Sequence, residues 1–276
     1  MPRSPTDRGR DKALPAPAVA PEAYTESYYR HSCMGAETWA RSEGGQIDPM
    51  YSWYARIAAV APGEVIVDVG CGRGELLVAA LEQGAGRAIG VEYAPAAVDL
   101  ARRTLARRGG AGNAEVLKAD ARALPLDDGS ADVVTMLDVV EHLVARELED
   151  ALAEVRRVLR PGGRLLVHTM PNRAIYTVTY PALRAADPRR WSGWPADPRT
   201  AFERSMHVNE QTLRSLRRAL RRAAFADVRV TFGQHVHTEH LLDERARRLV
   251  HRLAAHRVTL CLGRADLWAR ATRPTA

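Results

Sequence analysis

Short apolar runs and stretches with apolar residues at every third or fourth position take turns along the middle of the chain. After Pro62-Gly63, residues 64–70 (EVIVDVG) read as a buried strand. Residues 75–84 (ELLVAALEQG), apolar at 76, 77, 80 and 81, read as a helix stopped by Gly84. The same alternation predicts strands over 87–93, 114–120, 131–138 and 164–170 and helices over 94–109 and 148–163, the last ended by Pro161-Gly162-Gly163. A helix over 209–225, a sixth strand over 226–232, a helix over 242–256 and a last strand near 265–273 follow. Regular succession of strand and helix predicts an α/β fold, a doubly wound, Rossmann-like and mostly parallel seven-stranded sheet with right-handed crossovers.

The pattern fails in two places. Residues 173–206 are rich in proline, arginine and aromatics and read as a cap inserted over the site, and residues 23–62 read as an N-terminal helical cap. Residues 1–22 read as a disordered tail, which leaves 63–276 as the main domain. Of 16 aromatic residues, seven fall between Tyr24 and Tyr54 and five between Tyr176 and Phe202, so the two flanking segments are expected to meet over a crevice. Aromatics there either stack on a planar or hydrophobic ligand, or Trp39, Trp53, Trp191 and Trp194 give the cap a small core of its own.

Composition narrows the setting. Cys33, Cys71 and Cys261 are too few and too scattered for a disulfide framework or a zinc site, which suits a reducing cytoplasm. No run of 18 apolar residues exists, and the first residues lack the apolar stretch of a signal peptide, so no membrane span is expected. Charge is uneven: residues 1–150 carry 16 Lys/Arg against 23 Asp/Glu, and residues 151–276 carry 24 against 10. The basic half implies either an anionic ligand or nucleic acid, or solvated helix faces such as RSLRRALRRA.

Chemistry enters with DVGCGRG, residues 68–74. Glycines at 70, 72 and 74 let the backbone turn sharply out of the first strand and let a nucleotide-like ligand approach bare main chain at a helix N-terminus. The dinucleotide fingerprint GxGxxG needs glycine at position 75, where Glu75 stands, so a nicotinamide cofactor is disfavoured. What remains is DxGxGxG with Glu92 ending the second strand and Asp120 ending the third.

On these residues the chain resembles the class I S-adenosylmethionine-dependent methyltransferases, closely over residues 60–172 and loosely beyond, and most of all the small-molecule group that includes the ubiquinone-biosynthesis O-methyltransferases. The resemblance implies S-adenosylmethionine as cofactor. It implies that Asp68, Gly70, Cys71, Gly72 and Gly74 wrap its methionyl part, that Glu92 holds both ribose hydroxyls, that Tyr93 lies along the adenine, and that Asp120 and the Ala121 amide meet its exocyclic amine. Cys71 reads as a small filler in the turn.

The sheet order steps outward through strands 2 and 3 and returns beside strand 1, which opens a crevice at the carboxyl ends of strands 1 and 4. The loop after strand 4, residues 137–143 (LDVVEHL), therefore faces the glycine turn, with Asp138, Glu141 and His142 beside the methyl donor. His142, assisted by Glu141, suits deprotonation of an acceptor. Two other readings stand: Glu141 and His142 fix the loop, or Asp138, Glu141 and His142 bind a divalent ion with His207 returning from the cap. Leu143 stands where the metal-dependent RNA enzymes carry a second histidine, so no metal is expected. Asn172 is a candidate polar contact at the same mouth. The activity the resemblance implies is methyl transfer to an oxygen or nitrogen of an aromatic or anionic small molecule, as in secondary metabolism, with methylation of RNA as the alternative.

Overall fold

The computed structural model describes residues 14–109, 112–186, 188–189, 195–235, 244–256 and 259–275. Seven strands form one sheet: β1 (Val65–Val69), β2 (Arg87–Glu92), β3 (Ala114–Lys118), β4 (Ala131–Leu137), β5 (Leu159–Thr169), β6 (Ala226–Phe232) and β7 (Leu267–Thr272), in the order β3-β2-β1-β4-β5-β7-β6. Pairing is parallel from β3 across to β5, and β7 runs antiparallel to both β5 and β6. The mostly parallel seven-stranded expectation therefore holds, and β1 and β4 are neighbours at the point where the order reverses.

Ten α-helices surround the sheet: α1 (Glu26–His31), α2 (Ala36–Ser42), α3 (Pro49–Ala58), α4 (Glu75–Glu82), α5 (Pro95–Arg107), α6 (Ala145–Val158), α7 (Tyr180–Ala186), α8 (Ala201–Met206), α9 (Leu213–Arg222) and α10 (Glu244–Ala255), counted among the described residues. The two-residue side-chain period of β1 sends Val67 and Val69 to one face, where they join Leu148 and Leu152 of α6 and Leu216 and Leu220 of α9. Ile66 goes to the other face with Leu77 of α4, Val98 of α5 and Ala55 of α3. Each fully buried leucine or isoleucine in these layers contributes roughly 1.5–3 kcal/mol relative to exposure.

Boundaries shift where the chain changes direction. Helix α6 starts a turn earlier than the periodicity suggests and ends at Val158, because Leu159 pairs with Ala131 and begins β5 ahead of Pro161. The expected tail is also revised. Residues 1–13 and the two tryptophans Trp191 and Trp194 lie outside the described residues. Residues 14–22, however, are held across the domain: the Ala18 amide donates to Glu147 at 2.8 Å, Arg122 donates to the Pro15 carbonyl at 3.0 Å, and Val19 is buried. Three such tethers fix a segment whose alanine-proline composition gives no sign of order.

The aromatic segments do meet. Tyr28 of α1 and Phe202 of α8 lie 5.6 Å apart between ring centroids, and Met206 packs in one cluster with Val19, Tyr24, Tyr29 and Trp39. Trp39 is 0% exposed and donates to Thr104 of α5 at 2.7 Å, so it nails the lid to the domain, whereas Trp53 is 43% exposed.

Candidate active site

One cavity lies at the carboxyl ends of β1 and β4. It is lined by Asp68, Gly70, Cys71, Gly72, Glu92, Tyr93, Asp120 and Ala121, by Asp138 and His142, and by tyrosines 24, 28, 29, 51 and 54 of the lid. Nine of the ten cofactor residues implied by the sequence thus come together there, and Gly74 stands apart.

The turn is built by close approach. Gly70, Gly72 and Gly74 all have left-handed backbones, with φ of +77°, +51° and +76°. A Cβ on Gly70 would stand 2.4 Å from Val139, while one on Gly72 would find only Tyr29, at 3.7 Å, so Gly72 is where main chain lies bare toward the cavity. Gly74 does not line the cavity; a Cβ there would press on Ala101 at 3.1 Å, so it serves the packing of α4 on α5, and its expected cofactor contact is withdrawn. Cys71 is buried against Gly90, whose missing side chain makes room for its sulfur, in keeping with a filler.

Carboxylates around the turn are anchored. Asp68 accepts from Thr135 at 2.6 Å, and burial, with a contribution from nearby Glu92, raises its pKa to about 7. Glu92 Oε1 accepts from the amides of Tyr93 and Ala94 at 2.8 and 2.9 Å, and Oε2 accepts from Gly72 at 3.1 Å. A carboxylate oxygen accepts two bonds, so with three amides in place Oε2 keeps an acceptor position for a hydroxyl. Burial also raises the Glu92 pKa. Asp120 receives Arg122 through its amide, Nε and Nη2 at 2.7–2.9 Å, which leaves one acceptor position for an amine. These positions fit an adenosyl ligand: a bare turn at Gly72, a buried acceptor on Glu92 and another on Asp120.

The loop after β4 separates its three polar residues. Glu141 is buried outside the cavity lining, accepts from Thr169 at 2.8 Å, and is pushed up to about 8 by burial and then by Asp138, so an assisting role at the acceptor is withdrawn. His142 lines the cavity with Nδ1 3.0 Å from the Met206 carbonyl, an acceptor that fixes the Nδ1–H tautomer and leaves Nε2 with its lone pair. Burial and then His207, 5.1 Å away between ring centroids, lower its pKa to about 4. Asp138 turns to His168. Among the described residues no group of three metal-ligating side chains converges. Asn172 is buried and donates to the carbonyls of Cys261 and Arg264 at 2.9 and 3.1 Å, so it is a structural tie and not a contact at the mouth.

Sequence reasoning missed three residues. His168, the one titratable residue in the apolar run of β5, lies with Nδ1 2.8 Å from Asp138 Oδ1 and Nε2 3.5 Å from Asp266 Oδ2. Burial opposes its charged form, but the two carboxylates outweigh it and raise its pKa to about 10. A charge breaking an apolar strand near its carboxyl end was the available signal. Arg73, inside the turn, is buried, pairs with Glu75 and donates to the carbonyls of Tyr29 and Met34, both at 2.6 Å, which ties the lid to the turn. Arg122 does the same for residues 14–20.

Comparison with known proteins agrees with this geometry. Residues 66–163 match the family model described as a methyltransferase domain. The chain is 39% identical over 127 residues to a 37.1 kDa protein of transposon TN4556 from Streptomyces fradiae, covering 45% of this chain and 35% of that one. It is 34% identical over 113 residues to the ubiquinone/menaquinone biosynthesis C-methyltransferase UbiE of Ectopseudomonas mendocina, covering 40% and 43%. The chain therefore spans less than half the length of these curated relatives. Among solved structures, the geranyl diphosphate C-methyltransferase of Streptomyces coelicolor superposes with a TM-score of 0.57 at 17% identity, over 84% of this chain and 83% of that one, a likeness of fold.

Proposed function

We propose that this chain, whose residues 66–163 match a methyltransferase-domain model, is a class I S-adenosylmethionine-dependent methyltransferase that transfers a methyl group to an oxygen or nitrogen of a small molecule held under the lid. The single observation that supports this reading is that the glycine turn, Glu92 and Asp120 share one cavity with His142 and five lid tyrosines. When bound, S-adenosylmethionine supplies a methyl group already activated by sulfonium charge. The protein's tasks are then to align the acceptor to about 3–3.5 Å and to take its proton. Asp68, Gly70 and Gly72 hold the methionyl part, Glu92, Tyr93 and Asp120 hold the adenosyl end, and the His142 Nε2 lone pair takes the proton. Aromatic rings from Tyr24, Tyr28 and Tyr54 favour a planar or apolar acceptor.

An anionic acceptor receives no support. Arg73 and Arg122, the two arginines among the described lining residues, are spent on Glu75, Asp120, Glu147 and backbone carbonyls. Nine of the 24 arginines of the basic C-terminal half stand exposed on α9 and α10, none of whose residues line the cavity, which favours solvated faces over an RNA track. No helix among the described residues is long and apolar enough to cross a membrane. The test is twofold: calorimetric binding of S-adenosylmethionine, and release of S-adenosylhomocysteine in the presence of acceptors. Absence of both would sink the reading.

A further inference from the structure

The acceptor end of the cavity is built around one carboxylate. Asp138 stands at φ +54°, a left-handed backbone that aspartate tolerates better than most residues, and its side chain is 34% exposed, in the cavity lining. Its main chain is hydrogen-bonded to a residue of β5, and its side chain stands as a close ion pair with the same residue. The Asp138 amide donates to the His168 carbonyl at 3.0 Å, and Oδ1 lies 2.8 Å from His168 Nδ1. His168 is itself fixed, with Asp266 3.5 Å from Nε2 and the Trp268 ring 4.4 Å away between centroids. Facing Asp138 are His142 and Glu141 of its own loop, His207 after α8, His168 of β5, and Tyr28, Cys33 and Tyr54 of the lid.

Charge flow at methyl transfer selects the acceptor that suits such a place. With an oxyanion nucleophile the sulfonium charge is annihilated, and a neighbouring carboxylate opposes formation of that oxyanion. With a neutral nitrogen the positive charge moves onto the nitrogen, and a carboxylate beside it is worth more in the transition state than in the ground state. His142, neutral and weakly basic in its buried site, is poorly suited to generate an oxyanion in advance. It suffices beside a nitrogen whose proton becomes acidic only as the methyl arrives.

Resting on the methyltransferase reading above, we propose that the acceptor is an uncharged aromatic amine whose N–H is held by Asp138, with His168 and Asp266 as positioning residues for that carboxylate. The nitrogen lone pair forms the N–C bond while the C–S bond breaks and its electron pair stays on sulfur. One N–H stays on Asp138, and the other proton passes to His142 Nε2 and from there to water.

The test uses the full chain and three ring-matched probes, 1-aminonaphthalene, 1-naphthol and 1-naphthoate, each titrated by calorimetry into the S-adenosylhomocysteine complex and assayed for transfer of labelled methyl from S-adenosylmethionine. The amine is expected to bind at least about tenfold more tightly than the other two and to be the probe methylated, on nitrogen, by mass spectrometry. Asp138→Asn, which keeps a residue tolerant of the left-handed backbone, should abolish the preference. In His168→Gln, amine affinity should fall between about pH 8 and pH 6 while wild type stays flat, a response that a merely structural role would not give. Preference for naphthol or naphthoate, no probe bound by a wild type that binds S-adenosylhomocysteine, or an amine preference surviving in Asp138→Asn would each overturn the proposal. A wild type that does not bind S-adenosylhomocysteine overturns the methyltransferase reading itself, and the amine with it.

Discussion

Gly70 and Val139 touch across the mouth of the sheet: a Cβ added to the glycine would lie 2.4 Å from Val139 Cγ2. The turn after β1 and the loop after β4 are therefore mutually shaped, and the two glycines of the turn should fail differently. Gly70→Ala adds overlap to an unfavourable left-handed backbone, and is expected to cost roughly 2–4 kcal/mol of stability, part of it restored in the double variant with Val139→Ala. Gly72→Ala has room, pays chiefly the backbone cost of roughly 1–2 kcal/mol, and should lose S-adenosylmethionine affinity beyond any loss of stability. Thermal denaturation and calorimetry separate the two; equal behaviour would remove the distinction.

Glu92 carries the turn as well as the ligand. Its carboxylate takes the amides of Gly72, Tyr93 and Ala94, so Glu92→Ala leaves three donors without their acceptor. Affinity for S-adenosylmethionine should drop by one to two orders of magnitude, about 1.5–3 kcal/mol, and the melting temperature should fall with it. Unchanged affinity measured on folded protein would remove Glu92 from the site.

The sheet and the adenosyl end were legible because local pattern determines them. Alternation of strand and helix gave the strand order's reversal point, and Asp68, Glu92 and Asp120 fall at or within two residues of the carboxyl ends of their strands. Contacts between distant segments were not legible. Nothing near Ala18 announces Glu147, 129 residues away, and nothing in EH says that Glu141 turns inward to Thr169 while His142 turns to the cavity. His168 was hidden for the same reason: its partners, Asp138 and Asp266, come from the loop after β4 and from the residue just before β7, 98 residues later.

The buried histidines set opposite pH dependences. His142 has its pKa lowered to about 4 from an ordinary 6.5, so its contribution to stability is present above about pH 6.5 and is lost as pH falls through 4. His168 is raised to about 10, so its contribution is present below about pH 6.5 and is lost as pH rises through 10. Each changes stability by at most about 1.4 kcal/mol per pH unit within its window. Chemical denaturation of His142→Asn should therefore show a flatter acid limb than wild type, and that of His168→Gln a flatter alkaline limb. An unchanged limb in either variant would reassign the corresponding charge state.

Catalysis should follow the same displacement for His142. A limb due to this residue belongs near pH 4 and not near neutrality, so turnover with a good acceptor should be level across about pH 6–8. His142→Ala should lower turnover by ~10²- to 10⁴-fold while S-adenosylmethionine affinity persists, and chelators should leave wild type unaffected. A loss within about threefold would mean that alignment under the lid carries the rate and that His142 serves its bond to Met206.

Access of the cofactor is the last consequence. Residues 14–20 lie over the adenosyl end, with Pro17 and Val19 in the cavity lining, the Ala18 amide on Glu147, the Pro15 carbonyl on Arg122 and the Val19 carbonyl accepting from Tyr93 at 3.3 Å. Arg122 also grips Asp120, so the strap and the acceptor for the adenine amine share one guanidinium. Three hydrogen bonds of roughly 0.5–1.5 kcal/mol each are strong enough to hold the strap and weak enough to open on the timescale of turnover. Removing residues 1–20 should therefore speed S-adenosylhomocysteine dissociation by about tenfold or more, read by stopped-flow fluorescence, while the core helices and sheet keep their melting temperature within a few degrees. Arg122→Lys, which retains charge but loses the fork on Asp120, should weaken binding without the full loss of the strap. Dissociation as slow in the shortened chain as in the full one would mean that the ligand leaves beneath α1, past Arg73, and that the strap is an ornament of packing.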